Sequence, residues 1–322
     1  MSKSVETKTF QTLNHGYNST FRPNRLSLGL VVPIENYTTG PIPTMTRHIE
    51  RIQMAEALGF SAVWLRDVPF NVPSFGDTGQ IYDPFVYLGL LAGMTQQIAL
   101  GVASIILPLR HPAHVAKAAM SADVLSDGRL ILGIASGDRP AEYPALNLTF
   151  DNRGERFRES FDYIRQVGDN FPIFENSYGN LDGSIDMLPK PTARKLPLLI
   201  TGGSQQHTQW IAENGDGWMI YPRNPSLQSQ IIQDWRAKLE ASGRPDQPIM
   251  QPLYIDLIDN PHMTPQHIHL GFRKGTDYLR TYLKSLEEIG VNHVALNLRF
   301  NQADIEKTMK RLADEILPDF AT

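Results

Sequence analysis

The stretch from residue 97 to residue 140 sets the architecture of this chain. Residues 97–107 form a mostly apolar run with the length of a strand that is covered on both faces. Residues 115–125 carry apolar side chains at spacings of three and four, which make one face of a helix, and Gly128 follows as a C-terminal cap. A second apolar run, residues 130–135, comes next. Two strands joined by a helix at this spacing form a parallel unit with a right-handed crossover.

The same alternation recurs along most of the chain. Apolar runs predict strands over residues 26–33, 61–67, 97–107, 130–135, 198–201, 217–221, 250–258 and 294–298. Helical periodicity predicts helices over residues 44–58, 84–95, 112–125, 152–170, 205–214, 227–241, 277–289 and 303–317. Eight such units in roughly 300 residues predict an α/β fold of the (β/α)8 TIM barrel type. The alternative is an open doubly wound sheet, but no G-x-G-x-x-G motif follows the first strand.

The pattern also predicts how the chain is divided. Residues 1–25 lack periodicity and are interpreted as an extended N-terminal arm, and residues 26–322 as a single barrel domain. Between Phe174 and Lys195, glycines and prolines separate short alternating pieces such as Ser184–Leu188. These pieces predict an insertion with a hairpin, between the fourth helix and the fifth strand.

Composition excludes several classes of protein. The net charge of -4 argues against a nucleic-acid partner, and the absence of cysteine excludes disulfides and thiolate chemistry. Residues 84–109 carry no charge, but the polar residues 95–97 interrupt them, so they predict a helix and a buried strand instead of a membrane span. Residues 1–20 lack the apolar segment of a signal peptide. We therefore expect a cytoplasmic protein with neither a membrane nor a nucleic-acid partner.

Small and polar residues follow the predicted strands, at the barrel end where ligands bind. Gly202, Gly203 and Ser204 lie between a strand and a helix, where backbone N–H groups and the helix dipole favour a phosphate. The alternative is a tight structural turn. Arg139, after the fourth strand, is a further candidate anion ligand, with a surface ion pair as the alternative.

Titratable residues after the second and third strands are the candidates for chemistry. Asp67 is either catalytic or the partner of Arg66 or Arg110 in a structural ion pair. His111 precedes a helix that starts at a proline, which favours a capping or orienting role over that of a general base. A polar loop before the seventh helix contains His262, His267 and His269. No acidic residue stands at ligand spacing from these histidines, so no metal site is predicted.

Residues 100–137 resemble the bacterial luciferase-like flavin monooxygenases. The matching positions are Leu100-Gly101, Leu107-Pro108, His111-Pro112, Asp123, Leu125-Ser126, Gly128-Arg129 and Gly133 with Gly137. Residues 58–67 and 196–218 resemble the second-strand and phosphate-loop segments of that family. The resemblance spans most of the predicted barrel in the same order.

The resemblance implies reduced flavin mononucleotide (FMN) at the barrel mouth. The Ala103-Ser104 peptide bond would be the family's non-prolyl cis bond beneath the isoalloxazine ring, and Ser136 would contact the flavin. Gly203 and Ser204 would take the phosphate-loop positions. Asp67 takes the position of an acid, with Arg66 beside it as a second catalytic candidate.

The implied activity is a monooxygenase that uses O2 and reduced FMN, supplied by a partner flavin reductase, on a small molecule. Luciferase has a histidine where this chain has Val68, so aldehyde chemistry of the luciferase type is not expected. The alternatives are hydride transfer with the deazaflavin F420 on the same fold, and a flavin-binding protein without turnover. The resemblance also implies a homodimer through the second and third predicted helices.

Overall fold

Eight parallel strands form a closed ring in the computed structural model, which describes residues 9–40 and 42–320. The strands of the described residues are β1 Ser27–Val31, β2 Ala62–Leu65, β3 Ala99–Ile106, β4 Leu130–Ala135, β5 Ile173–Asn176, β6 Gly179–Asp182, β7 Leu198–Thr201, β8 Trp218–Met219, β9 Ile249–Leu257, β10 Gln266–Ile268, β11 Gly271–Lys274 and β12 His293–Asn297. The ring runs β1-β2-β3-β4-β7-β8-β9-β12, and the pairing of β12 with β1 completes it. The predicted TIM barrel is confirmed.

Helices surround the ring, at least one after each ring strand. They are α1 His15–Thr20, α2 His48–Ala57, α3 Pro84–Met94, α4 Pro112–Leu125, α5 Glu142–Ala145, α6 Arg153–Val167, α7 Thr208–Asn214, α8 Pro225–Ala241, α9 Thr276–Glu288 and α10 Ile305–Glu315. Local sequence explains where several of them begin. The carboxylate of Asp83 caps α3, and Nδ1 of His111 accepts from the N–H of Ala113 at 3.2 Å, so His111 caps α4 as predicted.

Side chains of the ring strands alternate between two cores. In β2, Val63 and Leu65 pack outward against the helices, whereas Ala62 and Trp64 pack inside the barrel. A strand alternates its faces at every residue, so beyond β2 Arg66 continues the inward row and Asp67 the outward row. This alternation decides which of two adjacent charged residues faces the barrel mouth.

The amino-terminal end of the barrel is covered by α1, within the segment predicted as an extended arm. The hydroxyl of Tyr17 donates to the carbonyl of Asp216 at 2.7 Å, and the N–H of Gly16 to the carbonyl of Gly128 at 2.8 Å. Tyr17 and Phe21 join the apolar cluster inside the barrel. Residues 14–21 are therefore folded against the barrel, while residues 1–8 of the predicted arm lie outside the described residues.

One polar chain crosses this end of the barrel. Nε1 of Trp64 donates to Nε2 of His293 at 2.8 Å, so the ring proton of His293 resides on Nδ1. Nδ1 then donates to Oγ of Ser27 at 2.7 Å, and Ser27 donates to the carbonyl of Thr20 at 2.6 Å. Complete burial lowers the pKa of His293 to about 3, so the imidazole is neutral.

Two hairpins depart from the barrel pattern. The predicted insertion is present between α6 and β7, but its hairpin is β5-β6, and the alternating piece Ser184–Leu188 is irregular. The second hairpin, β10-β11, lies where we predicted a polar loop, and β11 pairs with β9. Cross-strand pairing satisfies its backbone, which a polar composition cannot reveal.

Other differences concern element ends. The helix predicted from residue 44 begins at His48, and the helix predicted from residue 205 begins at Thr208. The uncharged stretch at residues 84–109 is a helix followed by a strand, as predicted. Across residues 9–40 and 42–320, no helix combines the length and the apolar character that crossing a bilayer requires.

Candidate functional site

A cavity of about 510 Å³ opens at the carboxyl ends of the ring strands. This volume is within the range of sites for small molecules and cofactors. All nine predicted site residues line this cavity: Arg66, Asp67, Ala103, Ser104, Ser136, Arg139, Gly202, Gly203 and Ser204. Parallel strands end at the same rim, which is why residues far apart in sequence meet there.

The floor of the cavity includes the end of β3. The peptide bond between Ala103 and Ser104 is cis, as the family resemblance implies. Oγ of Ser104 shares a hydrogen bond with Oγ1 of Thr201 on β7. The side chain of Ser104 therefore connects β3 to β7. Ala103 and Ser104 both border the cavity.

A glycine loop forms one end of the cavity. A Cβ added to Gly202 would meet nothing within 4 Å, and one added to Gly203 would meet only the carbonyl of Gln206, at 3.8 Å. The N–H of Gly202 is already used, since it donates to the carbonyl of Met219 at 2.8 Å. Gly202 thus contributes open space, and an anion would be held by the loop backbone at Gly203 and Ser204.

The first turn of α6 packs against this loop. Nε2 of Gln206 donates to the carbonyl of Gly154 at 2.8 Å, and Arg153 lines the cavity beside the loop. The guanidinium of Arg153 stacks 3.7 Å above the ring of Phe150. Arg153 is not among the site residues predicted from the sequence. No sequence signal distinguishes it from its neighbours, because its position depends on how α6 docks.

Asp67 is held by partners outside the cavity centre. Its carboxylate accepts from Nη2 of Arg110 at 2.7 Å and from the N–H of Ile106 at 3.1 Å, and its side chain is 1% exposed. The ion pair with Arg110 is one of the alternatives left open by the sequence. Asp67 borders the cavity with its carboxylate already paired.

Arg66 belongs to a charged network with the mouth loop, defined here as residues 68–82. Nη1 of Arg66 lies 2.5 Å from Oδ2 of Asp77, and Nη1 of Arg299 lies 3.0 Å from the same oxygen. Although burial raises it, Arg66 and the N–H of Gly79 hold the pKa of Asp77 below its ordinary value. Nη2 of Arg299 also donates to the carbonyl of Gly76 at 2.7 Å. These contacts fasten the mouth loop over one side of the cavity.

Arg139 and Glu142 approach the mouth loop from the other side. Nη2 of Arg139 donates to the carbonyl of Asp77 at 2.8 Å, and its guanidinium lies 4.2 Å from the ring centre of Phe75. The carboxyl of Glu142 accepts from the N–H of Phe70. Burial raises the pKa of Glu142, and the charge of Arg139 partly offsets this. Glu142 is not among the site residues predicted from the sequence, because it lies on the short helix α5 and not at a strand end.

Val68 lines the cavity at the position where luciferase has a histidine. Among the residues bordering the cavity, in the part of the chain that the structure describes, there is no histidine. Over the same part of the chain, no cluster of three or more His, Cys, Asp or Glu residues is suited to a metal ion.

The cavity fits a flavin-type cofactor on two counts. Its volume is suitable, and its glycine loop leaves space that a Cβ would fill.

Comparison with known proteins agrees with this geometry. The chain is 29% identical over 240 residues to an F420-dependent glucose-6-phosphate dehydrogenase of Kineococcus radiotolerans, covering 72% of this chain and 68% of that protein. A monooxygenase from Streptomyces bottropensis superimposes with a TM-score of 0.77 at 18% identity, over 92% of this chain and 100% of that one.

A type II Baeyer–Villiger monooxygenase from Pseudomonas putida, solved in complex with FMN, has a TM-score of 0.73 at 14% identity over 92% of this chain and 99% of that one. At these identities the two solved structures show a shared fold. A model of the luciferase-like monooxygenases matches residues 26–321. The chain therefore belongs to the luciferase-like monooxygenase family.

Proposed function

We propose that this protein is a flavin-dependent monooxygenase that acts on a small organic molecule with O2 and reduced FMN. The observation that carries the proposal is the cavity itself, in which the open glycine loop and the nine predicted residues share one space of about 510 Å³. Reduced FMN is to be supplied by a separate flavin reductase. The bound flavin supplies the electrons that activate O2.

The residues of this chain would hold that cofactor and exclude water. Gly203, Ser204 and Arg153 would bind the phosphate, because backbone N–H groups and an arginine both favour an anion. Ala103 and Ser104 would lie under the ring, with Ser136 at its edge. The mouth loop would keep the space dry, which strengthens every polar contact inside it.

Arg66 and Asp67 would act at the reacting edge in different ways. Arg66 faces the cavity and can position an electron-rich group of the substrate. Asp67 is a positioning residue, since its carboxylate fixes Arg110 and the backbone at Ile106. Val68 offers no proton-transfer group, so we do not assign aldehyde chemistry of the luciferase type.

Hydride transfer with F420 is the second candidate. It is favoured by curated relatives whose names state F420 dependence, one of them a hydroxymycolic acid dehydrogenase from Mycobacterium tuberculosis. A flavin-binding protein without turnover is the third, suggested by Val68 in place of histidine.

Binding and turnover experiments separate the three candidates. We expect FMN to bind to the purified chain in its oxidised or reduced form, and reduced FMN to be oxidised faster when a substrate is present. Tight binding of F420 with anaerobic reduction by an alcohol would assign the second candidate instead. FMN binding without substrate-dependent O2 consumption across a substrate panel would assign the third. Absence of binding to either cofactor would refute the proposal.

We also propose that the protein is a cytoplasmic homodimer. Val86, Leu90 and Met94 form an exposed apolar row on α3, which contains no charged residue, and Leu125 at the end of α4 is 69% exposed. Exposed apolar surfaces of this kind mark protein contacts.

The substitution Leu90→Glu tests this interface. We expect it to lower the mass in light scattering from twice 36.2 kDa to 36.2 kDa. Ile173→Glu is a matched control, because Ile173 is also exposed but lies on the β5-β6 hairpin. A wild-type protein that is already monomeric would contradict the proposal.

A further inference from the structure

The ring strands divide the wall of the cavity into two halves. The residues proposed to hold the cofactor ring and its phosphate follow or end β3, β4 and β7, at positions 103–104, 136 and 203–204. The strands β9, β12, β1 and β2 are consecutive in the ring and form the other half. We call the cavity-lining residues of these four strands, together with Arg66 directly after β2, the far wall. Because the ring is closed, the far wall lies across the cavity from the cofactor residues and can contact a second molecule.

Two polar side chains of the far wall are placed side by side. Tyr254 and Asn297 are register partners on adjacent strands, which lie about 4.8 Å apart. Oδ1 of Asn297 accepts from the N–H of Arg299 at 2.9 Å, so its amide nitrogen is the part left to donate elsewhere. Burial raises the pKa of Tyr254, and the charge of Arg66 partly offsets this. The hydroxyl of Tyr254 therefore keeps its proton at neutral pH and can donate.

Arg66 adds a third donor and a positive charge. Its Nη1 lies 2.5 Å from Oδ2 of Asp77, but Nη1 of Arg299 lies 3.0 Å from the same oxygen. One carboxylate cannot neutralise two guanidinium groups, so this group of three residues carries a net positive charge. The side chain of Arg66 is 22% exposed and borders the cavity, so guanidinium nitrogens other than Nη1 can reach a ligand.

The acidic residues that border the cavity are engaged elsewhere. Asp67 is bonded to Arg110. Asp138 follows β4, in the half assigned to the cofactor, and is exposed to water. Glu142 lies in the same half, and the charge of Arg139 acts on it. The positive charge at Arg66 therefore lacks a dedicated partner, and an anionic group on a ligand would supply one.

Apolar side chains make up the remainder of the far wall. They are Val31, Trp64, Met250, Pro252 and Ala295. A ligand that fits this wall has an apolar body and one anionic group that accepts from several donors. A carboxylate has this form, since its two oxygens accept both from an arginine and from further donors. A phosphate dianion fits less well, because its second charge would find no cation here.

We propose that the substrate is an organic carboxylate with an apolar body, whose carboxylate accepts hydrogen bonds from Arg66, Tyr254 and Asn297. This inference rests on the proposed function and names its substrate class. The cofactor phosphate remains with the glycine loop, in the other half of the cavity.

The test compares carboxylates with their uncharged amides. Benzoate and benzamide, cinnamate and cinnamamide, and 2-naphthoate and 2-naphthamide are titrated into the FMN-loaded full chain, and binding is read from the absorption spectrum of the flavin. Wild-type protein is expected to bind the carboxylate of at least one pair about tenfold or more tightly than the amide, because the charged group pairs with Arg66. A smaller preference in every pair, or no binding of any carboxylate, overturns the inference. Tighter binding of phenyl phosphate than of benzoate overturns the choice of a carboxylate.

Substitutions in the far wall assign the preference to its residues. Arg66→Met is expected to reduce it to within about twofold, and Arg66→Lys to keep part of it, because lysine retains the charge without the planar fork. Tyr254→Phe removes one oxygen atom and is expected to weaken the carboxylate by about threefold, so it tests the wall even if Arg66→Met fails to fold. An unchanged preference in Arg66→Met or in Tyr254→Phe overturns the role given to that residue. Lys310→Met is the matched control, because it removes an exposed positive charge on α10 that does not border the cavity.

Two further titrations separate this inference from the proposed function. The same pairs are titrated into the cofactor-free chain by calorimetry, and FMN and riboflavin are titrated into Arg66→Met. If the chain binds FMN but shows no preference for carboxylates, the inference alone fails. If it prefers carboxylates but binds neither FMN nor F420, the proposed function fails and the carboxylate site stands. A loss of FMN affinity without a loss of riboflavin affinity in Arg66→Met would assign Arg66 to the phosphate and overturn the inference. Thermal melts of each variant verify that the chain is folded.

Discussion

The two ends of the barrel hold different kinds of buried polar group. At the amino end, Trp64, His293 and Ser27 form a neutral hydrogen-bonded chain. At the mouth, charged groups are gathered around Asp77, whose carboxylate pairs with Arg66 and Arg299. A neutral buried chain serves the fold alone, whereas charged groups at the rim of a cavity are typical of a ligand site.

The packing around glycine residues also differs between the interior of the barrel and its mouth. Inside the barrel, a Cβ on Gly101 would lie 2.2 Å from Cε3 of Trp64, so this glycine is required by close packing. At the mouth, Gly203 faces open space. The same residue type therefore serves the fold at one position and a ligand at the other.

The substitution Gly101→Ala should have the largest effect on stability. The added methyl group displaces the Trp64 ring, which also bonds to His293, so we expect the free energy of unfolding to fall by about 3 kcal/mol. Denaturation in urea measures the change. A loss below about 1 kcal/mol would show that the barrel interior relaxes easily and that close packing does not require a glycine at position 101.

A decrease in pH should have the next largest effect on the free energy of unfolding, through the protonation of His293. Its folded pKa of about 3 lies below the unfolded value of about 6.5, so between these values the unfolded state binds the proton. The contribution of His293 to the free energy of unfolding is then fully present well above pH 6.5 and is lost as the pH falls, by about 2 to 3 kcal/mol at pH 4.5.

The control for acid is His293→Gln, which keeps a donor and an acceptor but does not titrate. Subtracting its pH profile from that of wild type removes the contribution of all other groups. If the free energy of unfolding changes equally with pH in the two proteins between pH 6.5 and 4.5, His293 is not held neutral in the folded state.

At the mouth, Asp77→Asn should have a moderate effect on stability. The substitution leaves Arg66 and Arg299 without their shared carboxylate, and we expect a loss of about 2 kcal/mol. Cofactor affinity should decrease as well, because the mouth loop loses its attachment. Asp314→Asn is the control for denaturation and binding, because Asp314 is an exposed carboxylate on α10 and does not border the cavity. Unchanged binding in Asp77→Asn would separate the mouth loop from the cofactor site.

Gly203→Ala should have the smallest effect on stability and a clear effect on binding. The added methyl group would meet no atom closer than the carbonyl of Gln206 at 3.8 Å, so the free energy of unfolding should change by less than about 0.5 kcal/mol. The methyl group occupies space assigned to the phosphate, so FMN affinity should fall while riboflavin affinity stays the same. Equal losses for both ligands would place the phosphate elsewhere.

Much of this architecture was predictable because it is periodic. The uncharged stretch at residues 84–109 gave a helix and a strand at nearly the predicted positions, since apolar periodicity reports local burial. The site residues near strand ends were predictable for a related reason, because a closed parallel barrel places all strand ends at one rim. The hairpin β10-β11 and the helix α1 were not, since short polar segments become ordered through contacts made elsewhere in the chain.

The amino-acid sequence by itself determined the barrel, the order of its elements and the rim on which the candidate residues lie. Alternating strands and helices with right-handed crossovers form a parallel barrel, and the motifs that resemble the family indicate the same fold. Only the tertiary structure decided that Asp67 is paired with Arg110, that α1 closes the amino end, and that Arg139 donates to the mouth loop at the carbonyl of Asp77. The reason is physical: a hydrogen-bond partner is defined by position in space, which residue type and spacing do not specify.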